Sequence, residues 1–158
     1  MNKYEWIDIG ASFLPSEITA AFLYAQLEKI DEIQSKRRLI WNSYFENLKT
    51  LSEERSVFLP SIPSFCNHNA HIFYLLCGNE KERDELLNYM NINGVNVIFH
   101  YLSLHKSPFY QSKCHNRVLP VCDRYASTLV RLPLYFELSR LQTVSIADLI
   151  TNFYNVGP

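Results

Sequence analysis

Between residues 10 and 48 the chain reads GASFLPSEITAAFLYAQLEKIDEIQSKRRLIWNSYFENL, and after Pro15 no glycine or proline interrupts it until Pro60. Ile18, Phe22, Ala25, Ile30, Ile33, Ile40, Tyr44 and Leu48 recur mostly at steps of three, four or seven, which is the period of one buried helical face. Pro15 and Ser16 stand where a helix start wants them. Lys36, Arg37 and Arg38 read as a solvated collar around the stripe. A helix of this length would run roughly 50 Å at 1.5 Å per residue, longer than a small domain is wide. It must bend, or pack against something beyond the domain. Residues 10–50 are therefore the spine on which the other elements are hung.

The remaining segments are short. Residues 3–9 place Tyr4 and Trp6 in an extended lead-in, and 57–59 form a short strand stopped by Pro60. Residues 71–77 are β-rich and apolar throughout, as in a strand covered on both faces. Asn79 followed by Glu82 resembles a capping box, with Leu86, Leu87 and Met90 as the buried side of a helix that Asn93-Gly94 closes. Residues 95–99 form another strand, leading into His100-Tyr101. Residues 106–119 read as an irregular loop, and such a stretch is usually functional or mobile. Then come a helix over 120–128, a strand over 129–132, and a last helix opened by Ser139 and Gln142 and buried through Val144, Ala147, Ile150 and Phe153. This order predicts one α+β domain over residues 1–158, a small, largely antiparallel sheet with helices on one face.

Charge removes several function classes. The 15 Lys+Arg nearly balance the 16 Asp+Glu, leaving no basic field for nucleic acid or an anionic membrane. Residues 1–10 carry charges and no apolar h-region, and no run is long enough to cross a bilayer. A cytoplasmic protein is the plain expectation. Cys66, Cys77, Cys114 and Cys122 form no CxxC pair and read as reduced thiols. Zinc ligation by Cys66, His68 and His71, or by Cys114 and His115, fits none of the usual ligand spacings. Four unclustered glycines exclude a phosphate-cradling glycine loop. Ten Tyr, ten Phe and two Trp suit a sugar or ring pocket or a large interface, and equally a well-filled core.

Four stretches carry a resemblance. GASFLPSEITAAFLYAQLEKID with RRLIWNSYFENL, then NAHIFYLL, HYLSLH and LVRLPLYFELS, occur in the order of the DegT/StrS family of sugar aminotransferases. Their wording is most similar to transaminases acting on dTDP-4-oxo-6-deoxy-D-glucose. The resemblance covers nearly the whole chain and corresponds to the C-terminal part of the family's subunit. It implies the small domain of a fold-type I aminotransferase that uses pyridoxal 5'-phosphate. Such an enzyme moves an amino group, typically from glutamate, to the 4-keto carbon of a nucleotide sugar, and works as a homodimer. Lipopolysaccharide biosynthesis is the setting implied.

On their own, two imidazoles five residues apart with a tyrosine between them could serve a sugar hydroxyl, a phosphate or a metal. Two ordinary loop histidines would look the same. The resemblance places His100, Tyr101 and His105 on the substrate side. Where the family's motif has proline this chain has Ser103, which removes a rigid φ from the loop. Gly10-Ala11-Ser12 resembles the family's Gly-x-Ser, implying that Ser12 reaches the cofactor phosphate of the neighbouring subunit. A hydroxyl near a helix start suits that role, and so does a loop serine that merely bonds nearby backbone. The family's Schiff-base lysine and its cofactor domain lie upstream of the stretch this chain matches. None of Lys3, Lys29, Lys36, Lys49, Lys81, Lys106 and Lys113 stands in the family's Schiff-base setting. The chain is thus expected to be a C-terminal portion of such an enzyme, with no catalytic residue of its own. The other reading is a folded, non-catalytic remnant or interaction module.

One outcome follows directly. Titrating the chain with pyridoxal phosphate should produce no internal-aldimine absorbance and no borohydride-fixed adduct. A stoichiometric adduct on one specific lysine is the contrary result.

Overall fold

The computed structural model describes residues 7–10, 13–54, 57–113 and 117–156. The spine is two helices. α1 spans Glu17–Leu27 and starts on Ser16, whose Oγ accepts a hydrogen bond from the Thr19 amide. α2 spans Ile30–Glu54. Between them the Lys29 amide bonds back only three residues, to Gln26, the tighter turn in which helices commonly end. Asp31 and Glu32 then occupy the first turn of α2, where carboxylates oppose the helix dipole. The break resolves the excess length.

It also divides the apolar stripe. In α2 the expected Ile40, Tyr44 and Leu48 are buried, joined by Trp41 and Leu51, whereas Ile30 at its start is exposed and Ile33 only half-covered. In α1 nothing is buried: Ile18 is 72% and Phe22 71% exposed, and Phe13 and Leu14 just before the helix are almost bare. The α1 sequence EITAAFLYAQL has apolar side chains around its whole circumference, the pattern of a helix enclosed on several sides. The expected cationic collar is corrected at Arg37. Its guanidinium donates to the carbonyls of Ala70 and His71 rather than extending into solvent.

The sheet is an antiparallel pair, β1 (Phe73–Leu76) and β2 (Leu129–Leu132), with Phe73 opposite Leu132 and Leu75 opposite Val130. Those four side chains share one face because strand side chains alternate, and all four are essentially inaccessible to water. The same face meets Trp41 and Tyr44 of α2, whose rings lie 5.2 Å from that of Phe73. On the other face Tyr74 and Arg131, a registered pair, are only half-buried, so β1 is not sealed on both sides. The strands expected over 57–59 and 95–99 shrink to single bridges. Phe58 pairs with Leu76 and Ile98 with Arg131, one at each edge of the ribbon.

Around this ribbon stand α3 (Glu80–Ile92), α5 (Pro120–Thr128) and α6 (Arg140–Val156). α5 runs without a linker into β2. The Ser139–Gln142 box is reciprocal: the Gln142 amide donates to Ser139 Oγ, and the Ser139 amide to Gln142 Oε1. At α3 the Glu82 amide donates to Asn79 Oδ1, while the Glu82 carboxylate accepts from the Gly78 amide and from Tyr154 Oη of α6. The tyrosine bond ties α6 to the first turn of α3. A 3-10 turn (Leu104–Lys106) leads into the region expected as loop over 106–119, which itself holds a short α4 (Pro108–Gln111) started by Ser107.

Two measurements bear on this packing. Tyr44 is fully buried and its hydroxyl donates to the Pro133 carbonyl at 2.9 Å. Tyr44→Phe should cost about 1 kcal/mol in urea unfolding, and Tyr44→Ala a further few, within the ~3–5 kcal/mol typical of emptied aromatic sites. The apolar circumference of α1 should make the chain self-associate or bind a hydrophobic dye. Replacing Phe22 and Leu23 with aspartate should reduce both, read by sedimentation and dye fluorescence. A clean monomer without dye binding would contradict the exposure of α1.

Candidate substrate-binding site

His100 stands two residues beyond the edge bridge, in which Arg131 and Ile98 exchange backbone hydrogen bonds at 2.7 and 3.3 Å. The bridge fixes where His100 leaves the sheet. Its Nδ1 lies 3.2 Å from Nη1 of Arg131. A guanidinium can only donate, so Nδ1 accepts and the ring proton of the neutral imidazole sits on Nε2. Burial lowers the His100 pKa below the ordinary 6.5, and the positive charges of Arg131 and His71 lower it further. The result is a neutral imidazole whose Nε2–H can donate to an oxygen.

His71 and Arg37 belong to the same surroundings. Ala70, buried and with a left-handed φ of 49°, turns the chain into β1, a conformation uncommon outside glycine. It is held from two sides: its amide donates to Nδ1 of His68, and its carbonyl accepts from Nε of Arg37 at 3.2 Å. His68 in turn packs on the Trp41 ring. Arg37 has its pKa lowered by burial and then by Arg131. Two guanidinium groups and two imidazoles thus gather at the end of the ribbon that carries His100.

The peptide between His100 and Tyr101 is cis, and the two rings lie edge to face. Tyr101 is 56% exposed. His105 is different: it is 8% exposed, with Nε2 3.1 Å from Oδ1 of Asp123, close enough for an ion pair but without the alignment of a formal hydrogen bond. The structure therefore brings His100 and Tyr101 together at the accessible side and turns His105 inward. Ser103, the residue in the proline position, has φ −63°, close to a proline's own angle. Its hydroxyl donates to Asp123 Oδ1 at 3.2 Å. Ser12, the residue assigned to the cofactor phosphate, lies outside the described residues, as do Cys114 and His115.

Sequence reasoning missed Arg131, Arg37, Ala70 and Asp123. Arg131 left one signal, a lone charge inside the apolar strand LVRL. Asp123 left none, because an acidic residue in the first turn of α5 is ordinary. Among the described residues no group of three metal-ligating side chains converges, and no helix is long and apolar enough to cross a membrane. Lys29, Lys49, Lys81 and Lys113 are exposed, Lys36 is half-buried on α2, and the Lys106 amine lies 3.0 Å from Asp123.

With this geometry in view, the match to known proteins is specific. The profile of the DegT/DnrJ/EryC1/StrS aminotransferase family matches residues 1–151, and the chain belongs to that family. The dTDP-4-dehydro-2,3,6-trideoxy-D-glucose 4-aminotransferase of Saccharopolyspora spinosa is 29% identical over 141 residues, covering 89% of this chain and 35% of that protein. The GDP-perosamine synthase of Escherichia coli O157:H7 is 26% identical, covering 98% of this chain and 41% of its own length. Among solved structures, S. venezuelae DesV in complex with a ketimine intermediate superposes with a TM-score of 0.80 at 24% identity, over 96% of this chain and 40% of DesV. The small α+β arrangement is thus that of part of an aminotransferase chain. The present chain spans about two-fifths or less of the length of these relatives.

The electrostatics can be checked directly. The His100 ring protons should titrate below 6.5, and Arg131→Gln should move that midpoint upward, as followed by NMR. Because the unfolded chain then takes up a proton the folded one refuses, His100 makes stability fall as pH drops below about 6.5. His100→Gln should remove that component of the slope.

Proposed function

We propose that the chain is the C-terminal, substrate-side portion of a nucleotide-sugar aminotransferase. The complete enzyme transfers an amino group, typically from glutamate, to the 4-keto carbon of a dTDP-4-oxo-6-deoxy-hexose. Family membership over residues 1–151 carries this reading, and it is supported by a dTDP-sugar 4-aminotransferase among the relatives. In it, His100 and Tyr101 line the sugar side, with the Nε2–H of a neutral His100 donating to a substrate oxygen and Arg131 holding the ring. His105 supports the same segment from behind. Ser12 contacts the cofactor phosphate across a homodimer interface.

Pyridoxal phosphate, when bound, supplies the electron sink for transamination. By resemblance the family's attachment lysine lies upstream of the stretch matched here, so we place the covalent attachment in the part of the subunit this chain does not span. The enzyme is cytoplasmic in this proposal and serves surface-polysaccharide synthesis, lipopolysaccharide in particular. A second reading, a folded remnant or interaction module without catalysis, is favoured by one observation only: the uncovered circumference of α1.

Combining the chain with a matching cofactor-bearing region separates the two. Restored transamination of the keto-sugar supports the enzyme reading; a stable complex without turnover supports the module. In the active combination His100→Ala should lower kcat/KM by about three-fold to a hundred-fold, the span of one lost hydrogen bond to a neutral or charged partner. Cofactor content should stay unchanged. Ser12→Ala should show the reverse balance, losing cofactor first. If His100→Ala empties the cofactor instead, the two assignments are exchanged.

A further inference from the structure

We infer that Asp123 is a positioning residue that clasps the segment carrying His100 and Tyr101. One carboxylate oxygen, Oδ1, receives three groups from four consecutive residues of that segment. Ser103 Oγ donates to it at 3.2 Å, His105 Nε2 lies at 3.1 Å, and Lys106 Nζ lies at 3.0 Å. Ser103 and His105 are buried, whereas the Lys106 amine is largely exposed. The contacts therefore grip the turn on its inner and its outer side. Within the turn itself the Lys106 amide donates to the Ser103 carbonyl and the Ser107 amide to the Leu104 carbonyl. Each ordered residue of the turn gives up conformational entropy, and the side-chain contacts to Asp123 add to what these bonds supply.

Asp123 belongs to α5, whose C-terminal end passes without interruption into β2. The clasp thus fastens the turn to the same continuous segment that supplies Arg131, the partner of His100. Ser103 stands in the position where the resemblance expects proline. A proline there would restrict the turn through its fixed φ; Ser103 reaches a similar φ and is held by a side-chain bond to Asp123 instead. The carboxyl group supports this reading. Desolvation raises its pKa, but the bonds from Lys106 and Ser103 and the charges of Lys106 and His105 outweigh that, leaving it below the usual carboxylate value. The clasp is independent of the proposed function; only the meaning of a fixed His100 rests on it.

The test needs no activity. Amide hydrogen exchange of the full chain is measured over residues 100–107 and over α6, with the His105 ring signals followed by NMR. Asp123→Ala should speed exchange of the Lys106 and Ser107 amides roughly ten-fold, in line with the loss of a charge-assisted hydrogen bond. It should shift the His105 signals and leave α6 protected. Asp123→Glu should recover part of the protection. Ser103→Ala should give a smaller acceleration that adds nothing on top of Asp123→Ala, as expected of groups in one network. Unchanged exchange in Asp123→Ala overturns the inference. So does equal acceleration in α6, which would mark a general loosening, and so do additive effects of the two alanine variants.

Discussion

The structure depends on a single buried seam, where the inner face of the β1–β2 ribbon meets α2. A two-stranded antiparallel ribbon has too little apolar area to stand by itself in water. Phe73, Leu75, Val130 and Leu132 become a core only because Trp41, Tyr44 and Leu48 close over them. The Tyr44 hydroxyl then finds the Pro133 carbonyl just past β2, so the seam is polar-satisfied as well as apolar. α6 completes it from the other flank through Ala147, Ile150 and Phe153. Every feature of the candidate site hangs from this arrangement: His71 precedes β1, Arg131 lies in β2, and His100 follows the strand-edge bridge.

The two motif histidines receive opposite surroundings from the same short stretch. His100 is flanked by Arg131 and His71 and is kept neutral, which suits a hydrogen-bond donor facing a ligand. His105 faces a carboxylate and is shut away from solvent, which suits a group that holds the chain in place. Spacing alone makes them look equivalent. Environment separates them, as it commonly does for imidazoles.

Helices with an amphipathic period were legible from the sequence: the α2 stripe from Ile40 onward, the Asn79 and Ser139 starts, and the presence of the final helix follow local rules that packing kept. The α1 half of the spine was misread because apolar spacing reports a capacity for burial and not the presence of a covering surface. The edge strands at 57–59 and 95–99 shrank to bridges since β propensity expresses packing against neighbours, and these segments have one neighbour each. In the final helix Ile146 and Thr143 are buried while Val144 is only half-covered, a rotation of the contact stripe that no periodicity fixes. Within the site, HYLSLH was visible as a motif. Arg37, Arg131 and Asp123 were not, because each reaches it across 20 or more residues of sequence to a partner.

The direct passage of α5 into β2 has a consequence for how this fold can be recombined. Asp123 and Arg131 lie eight positions apart on one unbroken stretch with no hinge between them, the first bound to the turn after Tyr101 and the second to His100. Residues 100–106 and 123–131 are accordingly coupled through side-chain contacts. A chimera that imports the first stretch alone pairs the grafted loop with anchors from another sequence, whereas exchanging both keeps each loop with its own.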